Sequence, residues 1–130
     1  MSCSLEELKK LTWDYLENCQ VVFLATVDGD RPKVRPVTLM RNGKDLFTVS
    51  GLKSAKIRQI IENPNVEFAF SLQDIGFNSI RVECTAEIVN DKKIKAEVYD
   101  SQEHALIRLV PKRFVVIMPP SFEAVTIPLP

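Results

Sequence analysis

Lys53, Ser54, Lys56 and Arg58 gather at the start of a short helix that the sequence predicts after Gly51, and Glu62 stands at its end. Ser54 suits the N-cap, because its hydroxyl can accept from a backbone N–H that the first turn leaves unpaired. The charges run against the helix macrodipole, which disfavours each such placement by about 0.3–1 kcal/mol. Such an inversion is tolerated most readily where an anion normally sits. Free amides, a serine hydroxyl and a flexible lysine together make a phosphate site. On charge alone, a solvated surface helix carrying ordinary lysines is the competing reading.

Little else in the sequence offers chemistry. His104 is the one histidine and has no serine or cysteine motif beside it, so a nucleophile–histidine pair is not indicated. No HExxH, paired CxxC, Walker loop or GxGxxG occurs. Glu83 and Glu87 alternate along a predicted strand, where a solvated face is the default. No metal site and no catalytic acid–base residue is predicted. A chain that binds phosphate without such machinery leaves the chemistry to a cofactor.

The elements that must position these residues follow from periodicity. Ser4 and Glu7 form a capping box ahead of a helix over about 4–18, with Leu5, Leu8, Leu11, Tyr15 and Leu16 at helical spacing. Trp13 lies off that stripe, free to face a partner or to pack half-buried. Val21 to Val27 reads as a strand, Asp28-Gly29-Asp30 as a hairpin turn, Lys33 to Arg41 as a second strand, and Asn42-Gly43 as the next turn. Asp45 to Ser50 follows as a third strand, so the three predict an antiparallel meander. Pro32 and Pro36 lack donors, which places their strand at an edge or a bulge. After the helix, with Ile57, Ile60 and Ile61 as its expected buried face, come strands over 66–72 and 80–88. Gln73 to Asn78 reads as a loop, Asp91 as the cap of a helix over 92–99, and Ser101 to Leu109 as ambiguous. Two last strands are predicted at 114–118 and 122–127. Six or seven short antiparallel strands with few helices bury their apolar faces best by closing into a small barrel.

The bounds agree with one domain spanning residues 1–130. Hydrophobic residues make up 45% and charged residues 26%, as in ordinary globular proteins. Seventeen basic residues balance seventeen acidic ones, which excludes a field that attracts nucleic acid or anionic membrane. No apolar run approaches the roughly 20 residues of a membrane span. The N-terminus MSCSLEELKK lacks a signal-peptide core. Cys3, Cys19 and Cys84 fit neither a disulfide framework nor a zinc pattern, so reduced thiols and a cytoplasmic location are expected.

Three stretches, VVFLATVDGDRPKVRPVTLM, LFTVSGLKSAKIRQIIENPNVEFAF and IRVECTAEIV, resemble in order and spacing the pyridoxamine 5'-phosphate oxidase-related, FMN-binding split β-barrel family. The resemblance runs from about Val21 to Val89. It implies a mainly β, six-stranded antiparallel split barrel that forms a homodimer, with FMN in two grooves at the subunit interface. It implies that Arg35, Pro36, Val37, Thr38 and Leu39 line the flavin ring, with Arg35 also near the phosphate. Phe47, Thr48, Val49 and Ser50 match the strand leading into the phosphate loop. Ser54 and Lys56 match the phosphate-holding positions, Lys53 or Arg58 is expected to replace the charge of an arginine that the oxidases carry at Ala55, and Ser79 falls where some members place a flavin-contacting glutamine.

The departures from the family pattern are informative. Ala55 stands where the oxidases have an arginine, Met40 where they have a basic residue, and the tail PPSFEAVTIPLP lacks their substrate-gripping arginine and tryptophan. The chain therefore resembles the short general-stress and nitroimidazole-resistance-like members more than the oxidases themselves. The expected function is an FMN-dependent oxidoreductase acting on a small molecule, with Arg35 among the groups that stabilise reduced flavin. The alternatives are a flavin-binding stress sensor without turnover, a related barrel for haem or a deazaflavin, and a structural dimer with an empty groove.

Overall fold

The computed structural model describes residues 4–18, 21–71, 79–118 and 121–130. It is built around one antiparallel sheet of eight strands: β1 (Val21–Asp28), β2 (Arg31–Thr38), β3 (Met40–Asn42), β4 (Asp45–Gly51), β5 (Asn65–Ser71), β6 (Ser79–Ile88), β7 (His104–Ile117) and β8 (Ala124–Pro128). Three helices accompany it: α1 (Leu5–Asn18), α2 (Ala55–Glu62) and α3 (Lys92–Val98). The strand order is β2-β1-β5-β6-β7-β4-β3, with β8 added to β7. The sheet curls until β2, at one end of the order, and β4, which carries the short end strand β3, approach each other with no hydrogen-bonded ladder between them. This is a split β-barrel.

The hairpin turns lie where the glycines put them. Gly29 and Gly43 both adopt left-handed backbone, with φ of 66° and 65°, as tight hairpin connections demand. Two departures from expectation decide the architecture. The predicted meander stops at Leu39: the strand expected over 33–41 is two, because β2 pairs with β1 while β3 pairs with β4 at the opposite end of the sheet. The chain thus steps across the opening, and β4 takes β7 rather than β2 as its long partner.

The second departure is β7, a strand of 14 residues covering both the ambiguous segment and the penultimate predicted strand. It runs through Pro111, where the register with β6 shifts between Glu83 and Cys84 and skips Lys112. A proline has no N–H for the ladder, and a bulge absorbs that gap. The seven strands predicted along the chain become eight through the β2/β3 break, with β8 the last of those predicted, where the resemblance implied six.

The interior is filled by alternate residues of the strands, among them Val22, Leu24, Phe68, Val82, Leu109 and Phe114, all essentially buried. Each such side chain contributes about 1.5–3 kcal/mol by leaving water. α1 is opened by its capping box, with Glu7 N–H donating to Ser4 Oγ. It buries Leu16 in this core, and Trp13 meets Phe114 edge-on at 5.4 Å. Trp13 is therefore a half-buried packing residue. Arg41 also lies over its ring, at 5.2 Å from the ring centre, tying α1 to β3. α3, capped by Asp91, covers a smaller cluster of Phe47, Val89 and Leu106 on the other face of β4 and β7.

α2 is capped by Ser54, whose hydroxyl accepts from the Lys56 N–H. Its buried face is not the three isoleucines: Ile60 is buried, Ile57 packs partly, and Ile61 is 69% exposed. Gln59 takes the second buried place instead. Among the described residues, no helix is long and apolar enough to cross a membrane.

Candidate functional site

The opening between β2 and β4 is where the fold leaves backbone groups without a strand partner. β2 pairs only with β1, and beyond Phe47 strand β4 pairs only with β7. Two unpaired edges facing one another offer N–H and C=O groups to something other than protein. A depression of about 380 Å³ lies along this seam, lined by Val21, Pro36, Val37, Thr38, Val49 and Lys56. Its lining mixes the apolar side chains of Val21, Pro36, Val37 and Val49 with polar atoms, and its one charge is the lysine.

Lys56 enters from the first turn of α2. Burial pushes its ammonium below the usual lysine range, and the positive charge of Arg35 pushes it the same way. Arg35, on β2, is itself partly desolvated, and its pKa is lowered accordingly. Its guanidinium donates to Thr26 Oγ1 at 2.7 Å, to Gln59 Oε1 at 3.0 Å and to the Leu24 carbonyl at 3.3 Å. All three acceptors are neutral. Among the described residues, no carboxylate pairs with either Arg35 or Lys56.

Two like charges drawn partly out of water and left unmatched raise the energy of the protein by itself, and an anion between them reverses that cost. The Ser54 hydroxyl accepts at the cap and retains its own proton to donate. Thr48, on the strand that borders the seam, has a buried Oγ1 without a hydrogen-bond partner. These residues fit a phosphorylated ligand: cations and a hydroxyl at one end of the seam, an apolar wall along it. Arg58, by contrast, is engaged elsewhere, bonded to Asp28 at 3.3 Å and near Glu62 at 3.4 Å. It does not stand in for the charge that Ala55 lacks.

The residues expected at the site divide into groups. Pro36, Val37, Thr38, Val49 and Lys56 line the seam, Arg35 lies close enough to Lys56 to act on its charge, and Ser54 caps the helix that carries Lys56 while itself lining the outer groove. Leu39 is turned into the core, and Phe47 packs into the α3 cluster with Arg108 over its ring at 5.4 Å. Ser50 is buried, with its hydroxyl toward the Gly51 carbonyl. Lys53 lines a shallow outer groove with Leu52, Ile57 and Ile61. Ser79 begins β6, opposite Ser71 and Ile117, and is not brought to this cluster within one chain. Gln59 and Thr26 carry no signal in the sequence: Gln59 stands just before Ile60, off the predicted stripe of Ile57, Ile60 and Ile61.

A second groove of about 380 Å³ crosses β1, β5 and β6, lined in part by Glu67, Glu83, Cys84 and Arg113. Its arginine is matched by a carboxylate. Burial pushes the Cys84 thiol far up, which removes it as a nucleophile or metal ligand. The groove therefore lacks the chemistry of the seam.

Fold and site together define a split β-barrel with a cationic seam. The profile of the family described as pyridoxamine 5'-phosphate oxidase matches residues 8–126, and the chain belongs to that family. General stress protein 26 of Bacillus subtilis (strain 168) is 28% identical over 99 residues, covering 75% of this chain and 71% of the relative. The solved General Stress Protein 26 of Bacillus anthracis str. Sterne superposes with a TM-score of 0.77 at 20% identity, covering 94% of this chain and 98% of that one. A FAD-binding protein of Mesorhizobium loti shares the fold with a TM-score of 0.66 at 20% identity, covering 86% and 90%.

Proposed function

We propose that this chain is an FMN-binding homodimer that passes electrons or hydride to a small-molecule acceptor. The observation that carries the reading is the pair Arg35 and Lys56, adjacent, partly desolvated and without a carboxylate partner, at the seam. Arg35, Lys56 and the Ser54 hydroxyl hold the phosphate, and Pro36, Val37, Thr38 and Val49 line the ring. FMN, when bound, supplies the redox chemistry of its isoalloxazine ring. The chain's own part is to fix the phosphate, exclude water from the ring's apolar face and supply positive charge nearby. Flavin as the ligand class is further supported by membership of the family and by the FAD-binding relative.

Dimerisation is supported by the outer face of β1 and β2. Val21, Phe23 and Val34 are 58%, 54% and 69% exposed. The register sets Phe23 against Pro36 and Ala25 against Val34 on that one face. A curled sheet normally turns polar residues outward there, and an apolar patch so placed is a surface awaiting cover. Val21 and Pro36 belong both to this patch and to the seam, so a second copy seated on it would roof the depression.

The test is direct. Protein incubated with FMN and desalted should be yellow with two visible bands, and should sediment as a dimer at micromolar concentration. A single Soret band would replace flavin with haem, and a stable monomer would remove the interfacial site. Flavin retained without oxidation of NADH or NADPH would reduce the function to binding.

A further inference from the structure

We propose that Gln59, supported by Thr26, is a positioning residue whose neutral amide aims the Arg35 guanidinium at the seam without cancelling its charge. The proposal rests on the phosphate reading above and adds the device that makes that charge available.

Gln59 is 3% exposed and Thr26 1%, so both are committed to the interior. Gln59 Oε1 accepts from Thr26 Oγ1 at 2.6 Å and from Arg35 Nη2 at 3.0 Å. Thr26 Oγ1 accepts in turn from Arg35 Nη1 at 2.7 Å. A guanidinium can only donate, so the amide must turn its oxygen to Arg35 and its NH2 away. On that far side lies Asp28, whose carboxyl is held below the usual carboxylate range chiefly by Arg58 and, more weakly, by Lys33 and the Gln59 amide. The amide thus gives Arg35 a neutral oxygen, while the Asp28 carboxylate is taken by Arg58 at 3.3 Å.

The choice of residue is what makes this a device rather than packing. Neutral oxygens fix the direction of a guanidinium without cancelling its charge. A glutamate in the same place would have the same shape and accept the same bonds. It would also set a full negative charge 3.0 Å from Arg35 and satisfy the cation internally. The seam would keep its form and lose its pull on an anion.

The experiment compares FMN with riboflavin, which lacks the phosphate, in wild type and in Gln59→Glu, by fluorescence titration. Wild type should prefer FMN. Gln59→Glu should lower FMN affinity roughly ten- to hundred-fold, the loss of one charge-assisted contact, and leave riboflavin unchanged. A merely structural role would weaken both ligands alike, and that result overturns the proposal. Should Gln59→Glu fail to fold, the pair Thr26→Ser and Thr26→Val carries the test. The serine variant should keep the preference for FMN and the valine variant should lose part of it. A preference retained in Gln59→Glu, or in Thr26→Val, overturns the clamp while the phosphate site stands. A wild type indifferent to the phosphate overturns the underlying reading, and the clamp falls with it.

Discussion

Arginines stand on strands in two regions of this molecule and meet opposite treatment. On the outer surface of β5, β6 and β7, Arg81 faces Glu67 at 3.7 Å, Arg113 faces Glu83 at 3.8 Å and Arg108 faces Glu87 at 3.5 Å. All three pairs are at least partly open to solvent. In the seam, Arg35 and Lys56 face one another and neutral oxygens. Cross-strand pairing is evidently easy for this sequence, so its absence at one place is informative. Matched surface charges keep a protein soluble at little energetic consequence. Unmatched, partly dry charges are tolerated where a ligand completes them.

The contrast can be broken or sharpened by experiment, and the largest effect belongs to the seam. Lys56→Ala should weaken FMN by about 1.5–3 kcal/mol in a flavin titration. The same change should leave the flavin-free protein as stable as before or more so in urea, because a partly desolvated charge is gone. Unchanged affinity would move the phosphate elsewhere.

An alkaline titration gives a smaller effect with a defined sign. The Lys56 pKa is lowered from 10.5 in the folded chain, so the unfolded chain binds more protons in the window just below that value. Stability of the flavin-free protein should therefore rise with pH through that window. FMN affinity should fall over the same range as the ammonium is lost. Parallel trends in the two measurements would separate Lys56 from the ligand.

The smallest effect belongs to the other region. Glu83→Gln, which removes the carboxylate facing Arg113, should cost no more than about 1 kcal/mol in denaturant. It should leave flavin affinity unchanged. A larger loss there would erase the distinction between the two regions.

How far the sequence foretold this follows the range over which each signal acts. Capping of α1, α2 and α3 by Ser4, Ser54 and Asp91 was legible because a cap is local to a few residues. The turns at Gly29 and Gly43 were legible for the same reason. The break at Leu39 was not, because an unbroken apolar alternation does not say which strand lies opposite. The segment from Ser101 to Leu109 stayed ambiguous for the same reason: only the partner strand β6 shows that a bulge at Pro111 joins it to the strand beyond as β7. At the site, the cations at the start of α2 were legible because charge against a helix dipole is a local signal. Arg35 was found by resemblance to a family, whereas Gln59 and Thr26 depend on contacts 33 residues apart in the chain.

The pairing of β4 with β7 sets Leu46 against Leu109, sixty-three positions further along (109 − 46). During synthesis at roughly 5–20 residues per second, that interval is on the order of 3–13 s. Throughout it, the hydrophobic ribbon around Phe47 has only the short strand β3 beside it. The nascent polypeptide is then at its stickiest, so output of usable protein should depend on how quickly the ribosome delivers that last long segment.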